Sequence, residues 1–339
     1  MSENKVNRRE VLKMGMFGTL GAIGANLLAP LDRVFGSGND SGAKTNQKMS
    51  HGRSGHGYDP GNEMTEGLQT AHKVLTDFDY GKESILPSGQ ILREYELVST
   101  EKSVEVAKGL MFPGWVFNGR IPGPTIRCTE GDRIRVTLRN YSSHPHSIHF
   151  HGIHPTNMDG LEPIPPGGSF VYEFDAKPHG VHVYHCHVPP LARHIHKGMY
   201  GTFIVDPPKP REKAVELIMV MNGFDLDLDG ENDLYTVNGY AFAYHNHPIQ
   251  VKAGELVRIY LSNLTEFDLL NSFHLHANFF TYTANGHESN PRVFTDTISQ
   301  IQGERGILEI VFPQPGRYMF HAHQSEFAEL GWMGFFEVK

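Results

Sequence analysis

Cysteine is nearly absent from this chain of 339 residues, which has only Cys128 and Cys186. Two thiols cannot build a disulfide framework or a four-cysteine metal site. Tryptophan also appears only twice. No run of roughly 18 apolar residues occurs, so no segment reads as a membrane-spanning helix. Positive charge is in deficit: 30 Lys and Arg against 38 Asp and Glu give a net charge of −8, which excludes the electrostatic footprint of a nucleic-acid binder. Histidine, by contrast, is plentiful at 21 residues, and it is patterned.

The densest pattern runs from Val181 to Met199, VHVYHCHVPPLARHIHKGM. Alternate side chains of a strand face opposite ways, so His185 and His187 share one face and Cys186 takes the other. Upstream, HSIHFH has the same logic: His146 differs in parity from His149 and His151. One face then collects Cys186 and His146, with His194 and Met199 following at loop distance. A thiolate, two imidazoles and a distant thioether favour a mononuclear blue-copper centre. The opposite face collects His149, His151, His185 and His187. Cys128, in TIRCTEGD, reads as a core position.

Residues 1–30 carry the Arg8–Arg9 pair ahead of a weakly apolar run and resemble a twin-arginine export signal, which implies export in folded form to the periplasm or the exterior. Residues 31–88, rich in Gly, Ser, Asn and His, read as a flexible linker. From about Gln90 onward, short alternating segments punctuated by Gly and Pro predict an all-β chain of sandwich type. The chain then repeats itself. WVFNGRIPGPTIRCTEGDRIRVTLRN is echoed by YTVNGYAFAYHNHPIQVKAGELVRIYLSN, HSIHFH by NSFHLH, and YHCH by FHAH. Two copies of one domain follow, over 89–208 and 209–339. The second copy keeps His274, His276, His321 and His323 but holds Asn271 and Ala322 where the first has His146 and Cys186. Phe327 and Trp332 stand at its remaining ligand positions, so the second copy lacks the mononuclear site.

With four paired-histidine motifs and one cysteine in this order, residues 90–339 resemble the laccase-like multicopper oxidases of two domains, which are related to copper nitrite reductases. The resemblance implies two cupredoxin-like Greek-key β-sandwiches in tandem and a type 1 copper on His146, Cys186, His194 and Met199. His196 is set aside because His194 has the His-to-Met spacing of nitrite reductases. It further implies a trinuclear cluster of one type 2 and two type 3 coppers on His149, His151, His185, His187, His274, His276, His321 and His323. By the same analogy the chain forms a homotrimer with the cluster between subunits, a closed head-to-tail ring. Dioxygen is the implied electron acceptor.

Asp159 resembles the acid that follows HxHG in many such oxidases and is the candidate proton relay, although Asp before Gly160 also suits a turn. Glu326, after FHAH, is the second candidate. A phenol-like molecule, a metal ion or a small redox protein fits as reductant; the acidic composition is expected to tolerate cationic donors. Two other readings remain. Copper nitrite reductases place an Asp where this chain has His149 and lack the counterpart of His187. A non-enzymatic copper-binding electron carrier has no use for eight further paired imidazoles.

Overall fold

The computed structural model of the protein describes residues 63–339. The signal reading of 1–30, and the linker reading up to residue 62, lie outside the described residues. Within them the chain is built of short strands in four sheets, two to a domain.

In the first domain, one sheet joins Ile91–Ala107, Arg133–Asn140 and Ser169–Asp175, with Lys82–Ile85 and Leu110–Phe117 alongside. The other joins Thr125–Thr129, Tyr200–Asp206, Gly180–His185 and His149–Phe150, with Phe78–Asp79 at its edge. The second domain repeats the scheme. Val215–Phe224 runs parallel to Leu256–Asn263 as Ile91–Ala107 does to Arg133–Asn140. Tyr244–Val251 runs parallel to Met333–Val338 as Thr125–Thr129 does to Tyr200–Asp206. Both domains are cupredoxin-like sandwiches, the fold that the family resemblance implies.

Alternation decides which face of each strand is buried. In Arg133–Asn140, Ile134, Val136 and Leu138 enter the core with Phe150, Phe174 and Phe203. The intervening Arg135 lies on the outer face, bonded to Glu94 at 3.0 Å and Glu173 at 2.9 Å, its register neighbours on the two flanking strands. The second core gathers Ile259, Phe273, Phe320 and Trp332. A third cluster lies where the domains meet: Val181, Val183 and Ile204 of the first pack with Ile218, Val220 and Tyr260 of the second. The strand Gly180–His185 is therefore buried throughout, on both faces.

The linker assignment needs correction from Glu66 onward. Glu66–Val74 is a helix, with Thr65 accepting from Leu68 N at its start, and Phe78–Asp79 and Lys82–Ile85 are strands. Leu68, Ala71 and Leu75, spaced three and four apart, form an apolar stripe in the second domain's core beside Tyr240 and Tyr244. Burying each such leucine is worth roughly 1.5–3 kcal/mol. Gly67 permits the approach, since a Cβ there would lie 2.2 Å from Glu105 O. His72 belongs to this packing, its Nε2 3.0 Å from Ala243 O. The helix is too short, and too broken by Gly and His, to show as periodicity in the sequence.

Candidate metal centre

The strand Gly180–His185 ends at the point where its alternation matters most. Cys186 follows it, fully buried, and turns into the first core, while His185 and His187 face the other way with their rings 6.0 Å apart. On the inner side, Cys186 Sγ lies 3.1 Å from His194 Nδ1 and 3.8 Å from His146 Nδ1, and those two nitrogens are 3.2 Å apart. Donors bonded at about 2 Å to one ion in a trigonal plane stand about 3.5 Å from one another, so the triangle has the size of a metal site.

Its surroundings fit the same reading. The one proton of the Ser142 hydroxyl goes to His144 O, so Ser142 Oγ accepts from His146 Nε2 at 2.7 Å and leaves Nδ1 bare. Burial lowers the pKa of His146 to about 3 and that of His194 to about 4, and it raises that of the Cys186 thiol. Two neutral imidazoles and a thiol that ionises only beside a cation make a soft donor set suited to copper.

Met199 closes the loop from beneath. It is fully buried, its N–H donates to His194 O at 3.2 Å, and its carbonyl accepts from Cys186 N at 2.9 Å. His194 itself lies on the short helix Leu191–His196. His196 points elsewhere, its Nε2 accepting from Asp225 N at 2.9 Å.

The other histidines form two quartets of matching geometry. In the first domain His149 is the register partner of His185, and His151 Nε2 lies 2.9 Å from His185 Nε2. In the second, His274 is the partner of His321, and His276 Nε2 lies 2.9 Å from His321 Nε2. From His149 the rings of His151, His185 and His187 are 5.1, 5.4 and 5.2 Å away. From His274 those of His276, His321 and His323 are 5.0, 5.2 and 5.2 Å away. Every ring contact among these eight residues stays within its own quartet. His276 and His323 are exposed, so the second quartet opens onto the surface.

Apart from Asp159, the groups that orient these rings carry no signal in the sequence. His185 Nδ1 donates to Cys186 O at 2.9 Å, and His321 Nδ1 to Ala322 O at 2.6 Å, so both present Nε2. His274 Nδ1 is held by Asp296 O at 3.1 Å and Thr297 Oγ1 at 2.8 Å. His149 Nδ1 faces Asp159, both its carbonyl and its Oδ1 at 3.0 Å, and Oδ1 also lies 3.3 Å from His154 Nε2. Burial holds the pKa of His151 near 3 and that of His185 near 4. Glu326 stands apart from Asp159 in setting: it lies exposed in the first turn of the helix Ser325–Glu329, where its charge bears on Tyr235.

Above the cysteine site lies Trp115, with ring centroids 4.8 Å from His194 and 5.5 Å from His146. His144 covers Trp115 at 4.4 Å and the Arg193 guanidinium at 5.1 Å. These residues line a shallow cavity of about 310 Å³ together with Lys102, Lys197 and Glu101. Lys102 is paired with Glu66 at 3.4 Å, so Arg193 and Lys197 against Glu101 give this mouth a positive balance that the overall composition conceals.

Comparison with known proteins agrees with this arrangement. Residues 99–210 and residues 216–339 each match a family profile described as multicopper oxidase. A solved structure of a multicopper oxidase is 53% identical, with a TM-score of 0.79, covering 80% of this chain and 98% of that one. The copper nitrite reductase of Nitrosomonas europaea is 28% identical, with a TM-score of 0.69, over 73% of this chain and 94% of that one. The copper-containing nitrite reductase of Neisseria meningitidis serogroup A is 30% identical over 253 residues; the match covers 67% of this chain but only 64% of that protein's length.

Proposed function

Because the chain belongs to the multicopper oxidase family, we propose that it is a laccase-like oxidase, coupling one-electron oxidation of a donor to the reduction of dioxygen to water. Copper, when bound, would supply one-electron exchange at the cysteine site and dioxygen reduction at a trinuclear cluster. His146, Cys186, His194 and Met199 hold the first. The two quartets hold the second. The observation that carries this reading is the matched pair of quartets, one per domain, each an incomplete half by itself.

Cys186 is joined by peptide bonds to His185 and His187, so the chain provides a covalent path from the cysteine site to the first quartet. The packed core around Cys186 excludes water from that path. Asp159 Oδ1 lies 3.0 Å from His149 Nδ1 and Asp159 also lines a cavity of about 610 Å³, which supports its role as the carboxylate that delivers protons to the quartet.

A head-to-tail homotrimer completes the quartets. Supporting it, the open second-domain quartet is flanked by exposed apolar side chains. Leu270 and its register partner Ile301 lie at one end of the His274 strand, and the stacked Phe279 and Phe294 lie beyond His276. The reductant assigned to the Trp115 cavity is a small electron-rich aromatic with negative charge rather than a cation, because Arg193 and Lys197 line its mouth.

The similarity to nitrite reductases favours a second reading, nitrite reduction at a mononuclear second site. His149 and His187 count against it, since both sit in the first quartet at ring distances matched by the second. Copper counting with mass determination and gas uptake separates the two. Four coppers per chain in a trimer that consumes dioxygen supports the oxidase. Two coppers and nitrite turnover transfers the assignment to the rival.

A further inference from the structure

A further group of metal-ligating side chains lies away from the cysteine site and the quartets. His179 of the first domain meets His287 and Glu288 of the second, with their ligand atoms all within 4.8 Å of one another. The two imidazoles stack at 4.4 Å between centroids with 23° between planes.

The nitrogens pointing away from the group are already engaged. Glu130 grips His179 at two points: Oε2 accepts from Nδ1 at 2.9 Å and Oε1 from the backbone N–H at 3.3 Å. Ser289 N–H donates to His287 Nδ1 at 3.2 Å, so the metal-free ring carries its proton on Nε2; an ion at Nε2 shifts that proton to Nδ1, where the Ser289 hydroxyl oxygen at 2.8 Å accepts it. His179 Nε2 in turn contacts the Glu288 carboxylate. A carboxylate behind a histidine whose other nitrogen faces a second ligand is the arrangement that orients metal-binding imidazoles.

The backbone holds these parts in place. Val181 N donates to Asn285 O at 2.7 Å, Asn290 N to His287 O at 3.0 Å, and the Arg211 guanidinium to Gly286 O at 3.2 Å. Gly180, at φ +143°, allows the loops to touch: a Cβ there would lie 2.5 Å from Asn285 O. His179 is buried, whereas the Glu288 side chain is 73% exposed and gives an ion a way in.

We propose that His179, His287 and Glu288 bind a divalent transition-metal ion of the imidazole-preferring class, zinc or copper, that braces the two domains. Two imidazoles and one carboxylate leave a fourth position for water. Imidazole ligands bind an ion only when neutral at the bonding nitrogen, so affinity weakens in acid. The brace sits at the far end of the strand that carries His185 and leads to Cys186. It keeps that strand in register with the second domain.

The test is equilibrium dialysis of the full-length, copper-loaded protein against zinc chloride at pH 7.5 and pH 5.5, with zinc and copper counted together. The wild type is expected to hold one more ion per chain, zinc and copper summed, than Glu288→Gln or His287→Ala at pH 7.5, and to lose that ion at pH 5.5. Its Tm should rise by about 5–10 °C at zinc 100-fold above Kd, and those of the variants should not. Glu288 is exposed, so its variant keeps the fold. Equal zinc-plus-copper content and equal Tm response in all three proteins would overturn the site. The blue band and dioxygen uptake report on the copper assignments separately, so either reading can fail without the other.

Discussion

Met199 and Trp332 occupy the same place in their two domains. Met199 O accepts from Cys186 N at 2.9 Å, and Trp332 O accepts from Ala322 N at 3.1 Å. Met199 N donates to His194 O, as Trp332 N does to Phe327 O. The indole therefore fills the space where the second domain would otherwise hold a metal, and its Nε1 donates to Asn271 Oδ1 at 3.0 Å, the residue in the place of His146.

Trp332→Ala should therefore cost stability and not colour. Truncating a fully buried tryptophan costs about 3–5 kcal/mol, and here it also removes one of the two hydrogen bonds to Asn271 Oδ1, the other coming from Ser272 N. Denaturant unfolding of the variant should show the loss while its visible spectrum per copper stays that of the wild type. A weakened blue band would mean the second domain takes part in the coloured site.

Cys186→Ser should abolish the blue absorption and lower the copper content by one per chain, with circular dichroism unchanged. The hydroxyl fits the space of the thiol but is a hard, weakly acidic donor. Donor oxidation should fall to background. A surviving blue band would show that the sulfur ligand lies elsewhere.

His321→Ala should have the opposite signature. The cysteine site lies on the other side of its domain and in the other half of the chain, so the colour persists. The quartet loses the ring that faces His276 Nε2, and dioxygen uptake should drop by at least about 100-fold. Bleaching of the blue band in this variant would refute the separation of the two sites.

Acid should destabilise the copper-free protein well above the range of its carboxylates. Burial lowers the pKa of His146 to about 3 and those of His182 and His196 to about 4. In the unfolded chain each titrates near 6.5, at about 1.4 kcal/mol per pH unit inside its window. Below 6.5 the unfolded state takes up protons that the folded state refuses. The stability these groups contribute is complete above that pH and is lost as pH falls toward 4 and then 3. Urea midpoints should fall between pH 7 and pH 5, and a flat profile would show the imidazoles to be charged in the fold.

Arg193→Glu should raise KM for an anionic aromatic donor by about 30-fold at low salt and change kcat little. Reversing one charge near a bound anion alters its energy by about 2 kcal/mol at 4 Å in water. The effect should shrink as salt is added. Equal KM values for anionic and cationic donors in both proteins would remove the Trp115 cavity as the docking place.

Much was legible from residue order, and for a definite reason. A strand alternates with a period of two, so HCH and HxxHxH sort their side chains before any packing is known. The duplicated segments show that the sorting happens twice. What spacing cannot convey is contact between segments distant in the chain. Only the folded structure places Ser142 behind His146, Trp115 above His194, Asp296 behind His274, and His179 against His287. Only it turns Glu66–Val74 from apparent linker into part of a core, because a nine-residue helix gains its stability from the surface it meets. The order of residues determined which side chains face together along each strand, since that is local geometry. The tertiary fold decided what stands opposite them, since that depends on how whole sheets pack.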